Sequence, residues 1–161
     1  MMSKNSIVPF LKDYLIKFLT RPFLLDTNEI LCIIMCRTTF MPSGIRLRQL
    51  IQNQYKEILA REKNNDKFIH LYDIGAYWVA FECSACRLSG LFSKSELTLF
   101  RVPDCVEYVV MVSVPADEAE GCLGEYIILH DGIYRKVWSE HVLPMGDYRH
   151  WHEMAVRSVL L

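Results

Sequence analysis

The chain is short of glycine. It has seven in 161 residues, none next to another, so it lacks the Gly-rich loop that brings backbone N–H groups around a phosphate. The nucleophile-elbow pattern Gly-x-Ser-x-Gly and the metalloprotease pattern His-Glu-x-x-His are also absent. Long apolar runs are missing too. The most apolar stretch, residues 30–36, is seven residues between Glu29 and Arg37, where a membrane helix needs roughly 20. Lys12, Asp13 and Lys17 interrupt the apolar residues of positions 1–17, so no signal-peptide core is expected there. These absences lead to an expectation of a cytoplasmic protein with no membrane partner, whose six cysteines stay reduced.

What is present is the composition of a packed globule. Hydrophobic residues make up 52% of the chain, aromatics 12% and charged residues 23%, the opposite of a disordered chain. A chain of this length builds its own core without a disulfide or metal staple, so residues 1–161 are expected to form one domain. Its net charge of −1 conceals a division. Residues 1–67 carry eleven Lys or Arg against six Asp or Glu, and residues 68–161 carry seven against thirteen. The first part is basic and reads as helical; the second is acidic and reads as sheet.

Residues 7–20 have the periodicity of an amphipathic helix, and Asp26 with Glu29 has capping-box spacing for a second element at 29–36, where isoleucines 30, 33 and 34 keep a strand open. Ser43 is placed to cap a long helix over 44–63, with Leu47, Leu50, Ile51, Ile58 and Leu59 near one face, ended by Asn64-Asn65-Asp66. From Phe68 the period changes to two. Strands are expected at 68–73, 77–87, 97–101, 106–114, 125–130 and 133–138. Asp131-Gly132 is a type I′ hairpin signal, and residues 116–121 read as an acidic loop. Asp147 is placed to cap a C-terminal helix with Tyr148, Trp151 and Ala155 on one face. Apolar residues on both faces of 106–114 suggest a central strand covered on both sides, or an oligomer interface. The fold class that follows is α+β, a mainly antiparallel sheet of five or six strands with N-terminal helices and one C-terminal helix packed on it.

Cys83-Ser84-Ala85-Cys86 has the spacing of zinc knuckles and of dithiol redox motifs. On a strand, residues three apart point to opposite faces, and no turn residue lies between the two thiols, so core packing is the expectation and a redox or metal site the alternative. No second such pair completes a four-ligand zinc site, and no metal or other cofactor is expected. His150 and His152 are two apart, which on a helix turns them away from each other. Arg46, Arg48, Gln52 and Lys56 on the long helix are types that contact phosphates and base edges, and helices followed by a hairpin is the order of a winged helix.

The sequence therefore leans against an enzyme. Its expected function is a non-catalytic binding or protein-interaction module with a pocket lined by Tyr77, Trp78 and Trp138. The alternatives are nucleic-acid binding through Arg46, Arg48, Gln52 and Lys56, and thiol redox or metal chemistry at Cys83 and Cys86. A protein partner or a second copy of the chain is the expected company.

Overall fold

The fold is seen in a computed structural model, which describes residues 41–161. The elements expected at 7–20 and 29–36 lie outside the described residues. The first helix, α1, spans Ser43–Glu62. Pro42 precedes it and its carbonyl accepts the N–H groups of Ile45 and Arg46, at 3.0 and 3.1 Å. Ser43 does not cap the helix; its Oγ accepts the Ala76 N–H at 3.3 Å and ties the helix start to the turn after the first strand. Beyond the helix Asn64 takes φ +65°, the left-handed conformation that asparagine tolerates at a helix end.

Six strands follow: β1 Phe68–Asp73, β2 Tyr77–Phe81, β3 Glu96–Phe100, β4 Val109–Pro115, β5 Ile127–Asp131 and β6 Tyr134–Trp138. They form one antiparallel sheet in the order β3-β4-β2-β1-β6-β5. Side-chain alternation divides the core between its two faces. Leu50 and Ile58 of α1 cover Tyr72, Val79, Phe81, Val109 and Met111 on one face. The other face, with Ile69, Leu71, Trp78, Ala80, Val112, Val114 and Val137, lies under three helices. These are α2 Glu82–Leu91, α3 Ala116–Leu123 and α4 Met145–Leu160, which bring Ala85 and Leu88, Ala119 and Leu123, and Trp151 onto it. The expected α+β class is what is found, and β4 is buried on both faces as its apolar run suggested.

Besides the Ser43 cap, four local expectations need correction. The strand read over 77–87 ends at Phe81, and Cys83 and Cys86 lie on α2, one turn apart. Residues 82–92 contain no β-branched residue, while Ala85, Leu88 and Phe92 recur at helical spacing and bury against the sheet; packing of that stripe decides the element. The acidic loop is α3, where Asp117 and Glu118 stand in the first turn, favourable to the helix dipole, and Ala119 and Leu123 bury one face. The hairpin turn is Gly132-Ile133, one residue later than read, since Asp131 pairs with Tyr134. Gly132 has φ +53°, and Ile133 is not among the residues with positive φ, so only the first turn position is left-handed, as in a type II′ turn. Helix α4 starts at Met145 after Pro144, with Asp147 inside its first turn rather than at its cap.

Candidate functional site

Where α1 ends and α2 begins, a polar network is buried in the sheet's end. Glu62, 4% exposed, is the last residue of α1, and its Oε2 accepts the Ser84 N–H at 2.9 Å. No side chain within α2 caps its start, so the carboxylate of one helix caps the next. The Ser84 hydroxyl donates to Glu62 Oε1 at 2.6 Å and accepts from the His70 N–H at 2.9 Å and from Asn65 Nδ2 at 3.1 Å. Asn65 Nδ2 also donates to Glu62 Oε2 and to the Phe68 carbonyl, and Asn65 Oδ1 accepts the Phe68 N–H. Burial pushes the Glu62 carboxyl up to about 7, against the downward pull of its hydrogen bonds from Ser84 and Asn65.

Above this floor lies a groove of about 350 Å³, lined by Arg61, Asn64, Asn65 and Asp66 at the end of α1 and by Phe68, His70, Tyr134 and Lys136 on β1 and β6. The sheet register builds its wall. His70 stands opposite Lys136 and Tyr72 opposite Tyr134, so these side chains rise on one face. His70 Nδ1 and Tyr134 Oη are 2.8 Å apart. The Arg61 guanidinium lies 4.2 Å over the Tyr134 ring and donates to Tyr72 Oη at 3.1 Å; the Lys136 ammonium lies 3.9 Å over the Phe68 ring. Burial, followed by the charges of Lys136, Arg61 and Arg87, pushes His70 down to about 4, so the imidazole is neutral at physiological pH.

A second cluster joins α2 to α4. Glu82, at the β2–α2 junction, has φ +47°, a strained conformation for a residue with a side chain. Its Oε1 accepts the Val110 N–H at 2.9 Å, and its Oε2 accepts the Tyr148 hydroxyl. His152 Nε2 is 3.0 Å from the Tyr108 carbonyl and 3.5 Å from Glu82 Oε2. A carbonyl only accepts, so this nitrogen carries a hydrogen. Burial raises the Glu82 carboxyl, and Tyr148 is raised by its own burial and by the neighbouring carboxylate. His150, two residues away, is exposed, as the helical spacing of the pair requires.

The residues singled out from the sequence are distributed as follows. Trp78 is 3% exposed in the core on the face covered by α2, α3 and α4, Tyr77 is on the opposite face and 38% exposed, and Trp138 is 45% exposed, edge-on to Phe68 beside the groove. These three do not line one pocket. On α1, Arg48, Gln52 and Lys56 form an exposed stripe, whereas Arg46 turns back, its Nε donating to the Met41 carbonyl at 3.2 Å and its guanidinium lying over Gly75. The hairpin after α1 is no free wing, because β1 also pairs with β6 and β2 with β4. Cys83 and Cys86 are free thiols pushed up by burial, to about 12 and about 11. Among the described residues no group of three or more His, Cys, Asp or Glu is arranged to hold a metal ion.

Sequence reasoning gave no role to Arg61, Tyr134 or Lys136, and weighed His70 only as a residue that a metal site could recruit. On the strands the signal was alternation: Phe68, His70 and Tyr72, and Tyr134, Lys136 and Trp138, each fall on one face of an expected strand, and only the pairing of β1 with β6 joins them; Arg61, on α1, had no such signal. Comparisons of the chain with protein-family models, with curated proteins and with solved structures find no match.

Proposed function

We propose that this protein is a non-catalytic binding module whose ligand site is the groove between the end of α1 and strands β1 and β6. The observation that carries this reading is the groove itself, of a volume typical of small-ligand sites and lined by polar groups whose positions are fixed before any ligand arrives. Asn65 is held by its hydrogen bonds, His70 by Tyr134, and Arg61 and Lys136 by the rings beneath them. Such preorganisation lowers the ordering cost of binding. Support for a non-catalytic role comes from the most reactive side chains. Cys83 and Cys86 are pushed away from the thiolate form, and every hydrogen-bonding position of Ser84 is engaged. A cytoplasmic location is part of this proposal, supported by the free thiols of Cys83, Cys86, Cys105 and Cys122.

The test is a small-fragment screen read by two-dimensional NMR on the full chain. Hits are expected to move the resonances of Phe68, His70, Tyr134 and Lys136 together. A screen whose hits all map elsewhere, or a library compound turned over by the protein, would count against the proposal. A second reading, nucleic-acid binding, is favoured by one observation, the exposed stripe of Arg48, Gln52 and Lys56; Asp104, 4.0 Å from the Lys56 ammonium, weakens its charge.

A further inference from the structure

We infer that the groove is a site for a phosphate dianion, free or as a monoester, held by Arg61 and Lys136 beside the His70–Tyr134 pair. The inference rests on the reading of the groove as a ligand site and adds the chemistry of the ligand.

Four observations carry it. The aromatic faces of the groove are already covered, Tyr134 by Arg61 at 4.2 Å and Phe68 by Lys136 at 3.9 Å, so a planar ligand would have to displace a cation in order to stack. What the groove offers is the charged heads themselves. No carboxylate pairs with Lys136 among the described residues, and the only acidic residue in the lining, Asp66, is exposed. Arg61 does have a carboxylate partner, Glu57 at 2.6 Å, but that pair lies at the surface, where such pairs are weak.

Both cations stand on the wall of the same groove, Arg61 over the Tyr134 ring and Lys136 over the Phe68 ring, with the His70 ring neighbouring both rings, at 5.9 and 6.4 Å. A planar guanidinium fork and a compact ammonium together match the two negative charges and several oxygens of a phosphate dianion. Finally, His70 lies in the field of Lys136, Arg61 and Arg87, all of which oppose its protonation. An anion placed among these cations relieves their mutual repulsion, and by linkage it raises the His70 pKa, as protonated His70 would in turn favour the anion.

The experiment titrates the full-length protein at constant ionic strength with phenyl phosphate, inorganic phosphate and a neutral phenol control, following His70 and Lys136 by NMR. Both phosphates, and not the phenol, are expected to move these resonances. The preference of the dianion for pH 7.5 over pH 5, set by a second ionisation near pH 6, is read in Glu62→Gln, because Glu62 in the groove floor ionises at about 7 and opposes an anion there. Both phosphates should also move the His70 titration upward. Lys136→Ala or Lys136→Gln should weaken phosphate binding roughly tenfold, the loss of one charge-assisted hydrogen bond. Lys94→Ala, which removes an exposed charge outside the groove, should leave it unchanged.

The inference is overturned if phosphate probes leave His70 and Lys136 unmoved, or if Lys94→Ala weakens binding as much as Lys136→Ala. A groove that responds to neutral fragments but not to phosphates would sink the ligand class and leave the binding reading standing. A groove that responds to neither would remove both.

Discussion

The Glu62 carboxylate accepts the backbone N–H of Ser84 at 2.9 Å, so the end of α1 supplies the cap that α2 lacks. This contact joins the part of the chain read as basic and helical to the part read as sheet, and it fixes the floor of the groove. Its pH dependence has a definite sign. Glu62 titrates at about 7 in the fold against 4.5 ordinarily, so the folded state holds a proton that the unfolded chain releases. The resulting stabilisation is complete below pH 4.5 and is lost as pH rises through 7. His70 runs the other way: its folded value of about 4 against 6.5 gives a stabilisation present above pH 6.5 and lost as pH falls through 4. Glu82, also raised by burial, adds to the Glu62 trend.

Replacing Glu62 by Gln isolates one of these opposed slopes. The stability of Glu62→Gln relative to wild type should climb between pH 4.5 and 7, by about 3 kcal/mol over the window, whatever fixed cost the substitution carries. Urea unfolding across that range measures it. A difference that does not change with pH would mean that burial does not raise this carboxyl. At a fixed pH, Ser84→Ala removes a hydroxyl that serves Glu62, His70 and Asn65 at once, with an expected loss of about 2–3 kcal/mol.

The left-handed backbone of Glu82 separates strain from side-chain contacts. Glu82→Ala and Glu82→Gly both lose the bonds to Val110, Tyr148 and His152, but only alanine keeps a Cβ at φ +47°. The glycine variant should therefore be more stable than the alanine variant, by about 1 kcal/mol in thermal or chemical melts. Equal stability would show that this backbone costs nothing. Tyr148→Phe, which removes only the hydroxyl, should speed hydrogen exchange in α4 before it changes exchange in β4.

The thiols offer a direct check on reactivity. With Cys83 at about 12 and Cys86 at about 11, a disulfide reagent at pH 8 should label both slowly, after the exposed Cys122. Peptide mapping by mass spectrometry identifies which cysteine is labelled at each time. Rapid modification of Cys86 in the native protein would revive a thiol function for the pair.

The outer face of α1 makes a different prediction. Arg48→Ala with Lys56→Ala removes two exposed charges and should change stability by no more than about 0.5 kcal/mol. If this helix binds duplex DNA, that double variant abolishes an affinity that also falls steeply with salt. Retention measured at two salt concentrations distinguishes that outcome from no binding at all.

The fold class and the places of the six strands were legible because runs of β-branched and aromatic residues mark strands locally; burial alternates along β6, while β1 and β4 are apolar runs buried on both faces. Helix α2 was not, because Cys83, Ser84, Ala85 and Cys86 are small and fit the alternation of a strand as readily as a helical period; only the missing β-branched residues and the stripe of Ala85, Leu88 and Phe92 hinted at a helix. The groove was less legible still. Arg61 and Lys136 come from the end of a helix and from a strand far along the chain, and no spacing links them. Tyr77, Trp78 and Trp138 drew attention as aromatics, but alternation sends the first two to opposite faces, and Trp138 is separated from β2 by the whole width of β1.

The pairing of β1 with β6 has a consequence for synthesis as well as for shape. His70 and Tyr134 are 64 residues apart, so this ladder closes one of the longest loops in the described structure. On a ribosome, β1 can pair with β2 as soon as both have emerged, while its other edge waits until residues 134–138 are made. The groove thus comes into being in the last stage of sheet assembly. A nascent chain stalled before Tyr134 has Arg61 and His70 but neither Tyr134 nor Lys136, so the proposed ligand would be held only by chains that have grown past Lys136.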